Sequence, residues 1–167
     1  HPPLAMLLLA GIRSVFGESL PAIRLLPALA GAATVLVTGL IARRLGGGAW
    51  AQGLAMAAVG LGFNSVFHKF SMNCFDVLIW TLAAYLLLRI FQEGRPRGWL
   101  ALGVVLGLGL LNKISVLWLG LGIAVALIAT RERRWLRPPW PWLAGATALA
   151  FFTPHLIWQI RNSWPTL

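Results

Sequence analysis

The sequence predicts an all-α integral membrane domain, a bundle of about six transmembrane helices preceded by a juxtamembrane helix. Three observations carry that expectation. Hydrophobic residues make up 59% of the 167 residues and charged residues only 11%, about half the charged share of a soluble domain. Apolar stretches recur along the whole chain at lengths near the roughly 20 residues that carry a helix across about 30 Å of hydrocarbon. The basic residues fall in short groups between those stretches, the pattern of membrane loops.

Each element follows from that pattern. Pro3 to Phe16 is a shorter apolar stretch interrupted by Arg13, suited to a helix lying at the interface or entering the membrane obliquely. Six longer segments follow, at approximately 21–42, 46–67, 74–92, 98–112, 114–130 and 139–158. Each reads as a helix because hydrocarbon offers the backbone no outside hydrogen-bond partner. The domain organisation expected is one membrane domain: residues 1–20 as an outer juxtamembrane segment, 21–158 as the helical bundle and 159–167 as the start of an outer loop. The stretches are too many and too evenly spread for one signal peptide, and the first lacks a basic start and a small-residue cleavage site. The chain opens at His1 rather than Met, within what reads as a motif, so a fragment of a longer protein is expected.

A formal charge of +10 does not point to nucleic acid, because the cations are dispersed between apolar runs rather than gathered on one solvated face. The lone Cys74 excludes a disulfide within the chain and supplies no zinc pattern. No nucleotide fingerprint or phosphate loop is present, and no metal-ligating set is read.

Loop charge fixes an expected orientation, since Lys and Arg are retained on the cytoplasmic side. Arg43 and Arg44 follow the first span, Arg89, Arg95 and Arg97 the third, and Arg131, Arg133, Arg134 and Arg137 the fifth, together nine of fourteen basic residues. The alternate ends carry different chemistry: His1, Glu18 and Arg24, then Asn64, His68, Lys69, Asn73 and Asp76, then Asn112 and Lys113, and finally His155, Arg161 and Asn162. A polar site near the outer leaflet is expected, because ionisable groups within membrane segments lean toward function. The bland alternative is that the outer loops are simply wet.

Asp76 is the sharpest residue, the only acid between Lys69 and Arg89. Its competing explanation is helix capping, with Asn73 as N-cap and Asp76 at the third helical position, where the helix dipole favours an anion. Lys113 divides an apolar stretch too long for one span and short for two. A hairpin whose tip stops below the outer surface resolves this and sets Lys113 near the depth of a lipid phosphate; the alternative is a turn lysine snorkelling to headgroups. His68 and His155 lack metal-ligand spacing, which favours a structural or interfacial role for each over ligation. Lys69, His155 and Arg161 remain candidates for further contacts at the outer site. Gly103, Gly107 and Gly109 suit close helix packing.

The ordered motifs resemble a known family. His1-Pro2-Pro3-Leu4, then Arg24-Leu25-Leu26-Pro27 opening a span that ends Ala42-Arg43-Arg44-Leu45-Gly46, then Asp76, Gly107 to Lys113, Pro154-His155-Leu156-Ile157-Trp158, Asn162, Trp164 and Pro165 are similar to the polytopic glycosyltransferases related to protein O-mannosyltransferases. Bacterial relatives include the aminoarabinose transferase of lipid A and transferases that decorate lipopolysaccharide cores.

The resemblance implies a GT-C fold in the bacterial inner membrane, with its active site facing the periplasm. It implies transfer of a sugar from a polyprenyl-phosphate carrier to a lipid, glycan or protein acceptor. By position, His1 matches the first residue of the family's His/Lys-Pro-Pro-Leu motif, beside the cavity and able to contact phosphate. Asp76 matches the second acidic position, and Lys113 a lysine in the hairpin near the carrier lipid. The family's first acidic motif lies upstream of His-Pro-Pro, so the principal catalytic base is expected outside this chain. The resemblance leaves room for a divalent metal, which nothing in the sequence specifies. A transporter or flippase for a lipid-linked or anionic solute is the rival reading, and a noncatalytic membrane assembly subunit a third.

Overall fold

The computed structural model describes residues 2–164, which form helices joined by short connections and contain no strand. In chain order these are α1 (Leu4–Phe16), α2 (Leu20–Arg44), α3 (Ala49–Gly62), α4 (Asn64–Phe67), α5 (Met72–Glu93), α6 (Gly98–Asn112), α7 (Val116–Ala129), a 3₁₀ segment (Arg131–Leu136) and α8 (Trp140–Arg161). Three of them, α2, α5 and α8, are long and apolar enough to cross a membrane, while α1, α3, α6 and α7 are shorter apolar helices. The chain divides into two compact units, Ala5–Leu88 and Arg89–Leu167 with His1–Leu4, the boundary falling inside α5.

In the Ala5–Leu88 unit, Ser19 starts α2 by accepting a hydrogen bond from the Ala22 N–H, followed by a proline in the first turn. The helix ends in a turn where Gly46 adopts φ +89 and its N–H bonds the Arg43 carbonyl while Gly47 bonds Ala42. Only glycine takes that left-handed position without strain. The chain then returns antiparallel: Met56 covers Gly39, Val35 lies against Gly60, and the Phe67 ring covers Gly31. The second span, expected as one run over 46–67, is broken at Phe63, whose N–H bonds Val59 and whose carbonyl takes both Val66 and Phe67. Glycine is a weak helix former, and Gly60 and Gly62 precede the break; the redirected turn is what seats Phe67 on Gly31. Thr34 of α2 and Thr81 of α5 line one cavity, and the Arg44 guanidinium lies 5.4 Å from the centre of the Tyr85 ring. Progress along both helices in the same sense shows that α2 and α5 run parallel, as alternate passes should.

In the Arg89–Leu167 unit, α6 and α8 also run parallel. A Cβ at Gly103 would stand 2.6 Å from the Ala144 carbonyl oxygen, and one at Gly107 would stand 2.8 Å from Phe151 Cβ and 3.2 Å from Ala148 Cα. Small residues four apart on both helices thus bring the backbones together, the packing that lipid favours where no hydrophobic effect drives helices together. Between them α7 returns across a three-residue connection, and both arms are short: 15 and 14 residues span about 22 and 21 Å. The 3₁₀ segment, read from sequence only as an arginine loop, is clamped in place. Trp135 is buried with its ring centre 5.9 Å from that of Trp99, its Nε1 donates to Glu132, and Trp142 Nε1 donates to the Leu136 carbonyl.

Helix α8 continues beyond the expected end at 158 to Arg161. Its end is closed by the Asn162 side-chain amide, which donates to the Trp158 carbonyl at 2.7 Å, and a cation in the last turn suits the helix dipole.

The α6–α8 contact yields a test. Gly103→Ala should destabilise the protein by about 1–3 kcal/mol, the usual effect of overpacking. Gly120→Ala, whose Cβ meets nothing within 4 Å, should be neutral or stabilising by up to about 1 kcal/mol through helix propensity. Thermal unfolding of the full-length protein in detergent reads both; equal effects would show that the α6–α8 contact is not tight.

Candidate active site

Asp76 is the fifth residue of α5, one turn inside the helix rather than at its third position. The helix begins at Met72 because the backbone N–H and Sγ of Cys74 both donate to the Ser71 carbonyl, at 3.3 and 2.9 Å. Asn73 therefore lies within the first turn instead of capping it, and that turn contains no acid. Asp76 thus stands one turn further along than the capping alternative places it, where the favourable interaction with the dipole is weaker than in the first turn.

The half-buried Asp76 lines a cavity of about 350 Å³ together with Thr34 of α2, Val59 of α3, Phe63, and Val77, Trp80 and Thr81 of α5. It is the one ionisable residue of that lining. Both threonine hydroxyls are committed as donors, Thr34 to the Ala30 carbonyl at 2.7 Å and Thr81 to the Val77 carbonyl at 2.8 Å. With that proton committed, either hydroxyl can only accept a further hydrogen bond. The lining thus combines one carboxylate with two threonines, an indole and apolar side chains, and the carboxylate favours hydrogen-bond donors over anions. Thr34, Trp80 and Thr81 were not singled out in the sequence. Trp80 and Thr81 follow Asp76 at helical spacing, and a buried threonine in mid-span was the available signal for Thr34.

Lys69 is exposed in the connection between α4 and α5, at the same end of its unit as Asp76. Three further candidates belong to the other unit. Lys113 caps α6 in an extended conformation, with φ −155 and ψ 133, and its N–H bonds the Gly109 carbonyl at 2.8 Å. It follows the fully buried Asn112 and stands at the tip of the α6–α7 hairpin. Because α6 and α8 are parallel, the tip lies at the end of the unit where α8 finishes with His155 and Arg161.

Arg161 is exposed in the last turn of α8. His155 is different: it is buried, its ring stacks on Trp158 with 6.1 Å between centres, and it packs against Phe152 at 5.4 Å. Its Nε2 meets the Gln159 amide nitrogen at 3.2 Å. The residue expected as an outer-site contact serves here to pack the last turns of α8. His1 lies outside the described residues. Among the described residues, no three of His, Cys, Asp and Glu come together in a group suited to a metal ion.

Helices of membrane-crossing length, with a carboxylate in a cavity one turn inside one of them and a lysine at the tip of a short apolar hairpin, define a polytopic membrane protein whose chemistry is gathered at helix ends. The chain belongs to the dolichyl-phosphate-mannose-protein mannosyltransferase family, whose sequence profile matches residues 1–158. It is 32% identical over 160 residues to the undecaprenyl phosphate-alpha-4-amino-4-deoxy-L-arabinose arabinosyl transferase of Pseudomonas aeruginosa (strain UCBPP-PA14), covering 87% of this chain and 27% of the relative. The same identity and coverage hold for the transferase of that name from Pseudomonas paraeruginosa (strain DSM 24068 / PA7). The chain thus spans about a quarter of the length of these curated relatives. No solved structure matches it.

The packing of His155 predicts a stability effect. His155→Ala should lower the melting temperature of the full-length protein, corresponding to about 1–3 kcal/mol for a buried amide that loses its partner. His155→Phe keeps the ring contacts and should recover only part of the loss. A His155→Ala variant that melts like the parent would return the residue to the list of ligand contacts.

Proposed function

We propose that the full-length protein is a membrane glycosyltransferase that moves a sugar from a polyprenyl-phosphate donor to a lipid, glycan or protein acceptor, at the periplasmic face of a bacterial inner membrane. The observation that carries this reading is Asp76: a carboxylate lining a cavity one turn inside an apolar membrane helix, in a chain of this family. The activity for which the two relatives are named supports an undecaprenyl-phosphate-linked donor.

In the proposed reaction an acceptor oxygen attacks the anomeric carbon while the bond from that carbon to the phosphate oxygen breaks. The polyprenyl phosphate leaves with the electron pair, and the acceptor's proton passes to a carboxylate or to water. Asp76 orients the acceptor hydroxyl or supplies the field that favours its deprotonation, with Thr34 and Thr81 as acceptors for neighbouring hydroxyls. Trp80 offers an apolar surface on the same wall. Lys113, with His1, stabilises the charge that grows on the departing phosphate. A carboxylate upstream of His1 is the principal base. Lys69 and Arg161 contribute positive charge to the outer surface over which an anionic donor approaches.

Asp76→Asn keeps the size of the side chain and removes its charge. In the full-length enzyme it should lower transfer by about 10²–10⁴-fold, the range of general acid–base assistance, with an unchanged melting temperature. Normal turnover would leave Asp76 a packing residue. Lys113→Ala should lower kcat/KM for the donor by about 10–100-fold, as expected for loss of a charged hydrogen bond worth roughly 1.5–3 kcal/mol. Lys113→Arg should recover little, because a planar guanidinium does not replace a compact ammonium. A donor dependence unchanged in Lys113→Ala would make it a snorkelling lysine.

Orientation has its own measurement. Single cysteines placed at Lys69, Lys113 and Arg161 should react with an impermeant thiol reagent in intact cells, and those at Arg43, Arg95 and Arg134 should not. Labelling at Arg95 from outside would reverse the topology.

A further inference from the structure

The arginine-bearing end of the Arg89–Leu167 unit holds an apolar groove that the transfer reaction leaves unused. Its volume is about 570 Å³, within the range of small-molecule sites. It is walled by α6, α7, α8 and the 3₁₀ segment, with Trp99, Leu106, Ile128, Leu136, Trp142 and Leu149 among its lining. Trp99 to Leu106 on α6 and Trp142 to Leu149 on α8 each cover about 10 Å along the axis. The groove therefore runs lengthwise between the helices, starting from the arginine end.

That end carries a surplus of positive charge. Glu132 pairs with Arg134 at 3.2 Å and also holds Trp135 Nε1, while Glu93 pairs with Arg89 and Arg95. Arg97, Arg131, Arg133 and Arg137 are exposed and have no ion-pair partner among the described residues. In a 3₁₀ helix residues three apart eclipse, so Arg133 shares a face with Leu136, which lines the groove, and Arg137 follows directly. Glu132 and Trp135 occupy a second face and anchor the segment on Trp99. The cations are thus held at the mouth of an apolar channel by a clamped element.

We propose that this groove is a binding site for an anionic phospholipid, with one acyl chain lying between α6, α7 and α8 and the phosphate against Arg133 and Arg137. The lining, apolar apart from its two indole N–H groups, suits a hydrocarbon chain rather than a peptide. The unneutralised arginines select an anionic headgroup over a zwitterionic one, each basic group near a membrane surface contributing about 1 kcal/mol.

The test uses the full-length protein, delipidated and returned to nanodiscs containing phosphatidylcholine and phosphatidylglycerol, with retained lipid counted by native mass spectrometry. Wild type should retain one phosphatidylglycerol in preference to phosphatidylcholine. Arg133→Gln combined with Arg137→Gln should reduce that preference at least about fivefold. Gly145→Leu fills the groove from α8 and Gly120→Leu from α7; both positions line it and have open space at the Cβ. Each should abolish retention of either lipid while leaving the melting temperature within a few degrees of wild type. Equal retention of the two lipids by wild type, an unaltered preference in the arginine variant, or full retention in both groove-filling variants would each overturn the proposal.

Discussion

Hydrocarbon gives an ion no partner, and this constraint arranges the chemistry of the chain. With 14 basic and 4 acidic residues among 167, most charges are stationed at helix ends or in the connections. Glu18 pairs with Arg13 just beyond α1, Glu93 at the end of α5 pairs with Arg89 and Arg95, and Glu132 pairs with Arg134 in the 3₁₀ segment. Three of the four acids thus serve as local counter-ions to arginine. The fourth, Asp76, is set one turn inside a helix and lines a cavity. That position in a cavity wall separates Asp76 from the other three more clearly than sequence position alone.

The same medium explains how the helices hold together. Lipid tails are as apolar as leucine, so helix association depends on close approach and van der Waals contact. Gly103 against Ala144 and Gly107 against Ala148 and Phe151 supply it for α6 and α8; Gly39 under Met56 supplies it between α2 and α3, and Gly31 under Phe67 between α2 and α4. These contacts also fix direction. Parallel α6 and α8 bring the Lys113 tip and the Arg161 terminus to one end of their unit, and parallel α2 and α5 set Thr34 in the cavity lined by Asp76.

Helix positions were legible because apolar length is a local property. α6 occupies the expected 98–112, bounded by Pro96 and by the extended Lys113. What escaped the sequence depends on tertiary contact. Phe63 breaks the second pass although it is as apolar as its neighbours, since the turn is rewarded only when Phe67 reaches Gly31. The 3₁₀ segment exists because Trp135 finds Trp99, a pairing that no periodicity reveals. Asp76 itself was conspicuous as a lone acid in an apolar reach. Its cavity partners were not, because Thr34 meets it only after α2 packs beside α5. His155, whose spacing favours a structural or interfacial role over ligation, has its ring stacked on Trp158 and beside the Gln159 amide.

The two ends of the α6–α8 pair differ in a way that bears on both proposals. At the arginine end, acids are present but too few, and the excess cations sit on elements fixed by indole packing and hydrogen bonds. At the opposite end, the unit's own sequence supplies Lys113 and Arg161 and no acid, since its only acids are Glu93 and Glu132. A hairpin with arms of about 22 and 21 Å falls short of the hydrocarbon thickness, which is the basis of the proposal that the tip lysine meets a lipid phosphate. Both ends thus favour lipid anions by charge. The arginine end adds a lengthwise apolar groove, which suits a resident lipid held by its chain; the lysine end presents a short tip, which suits a carrier whose phosphate is held while its sugar is taken.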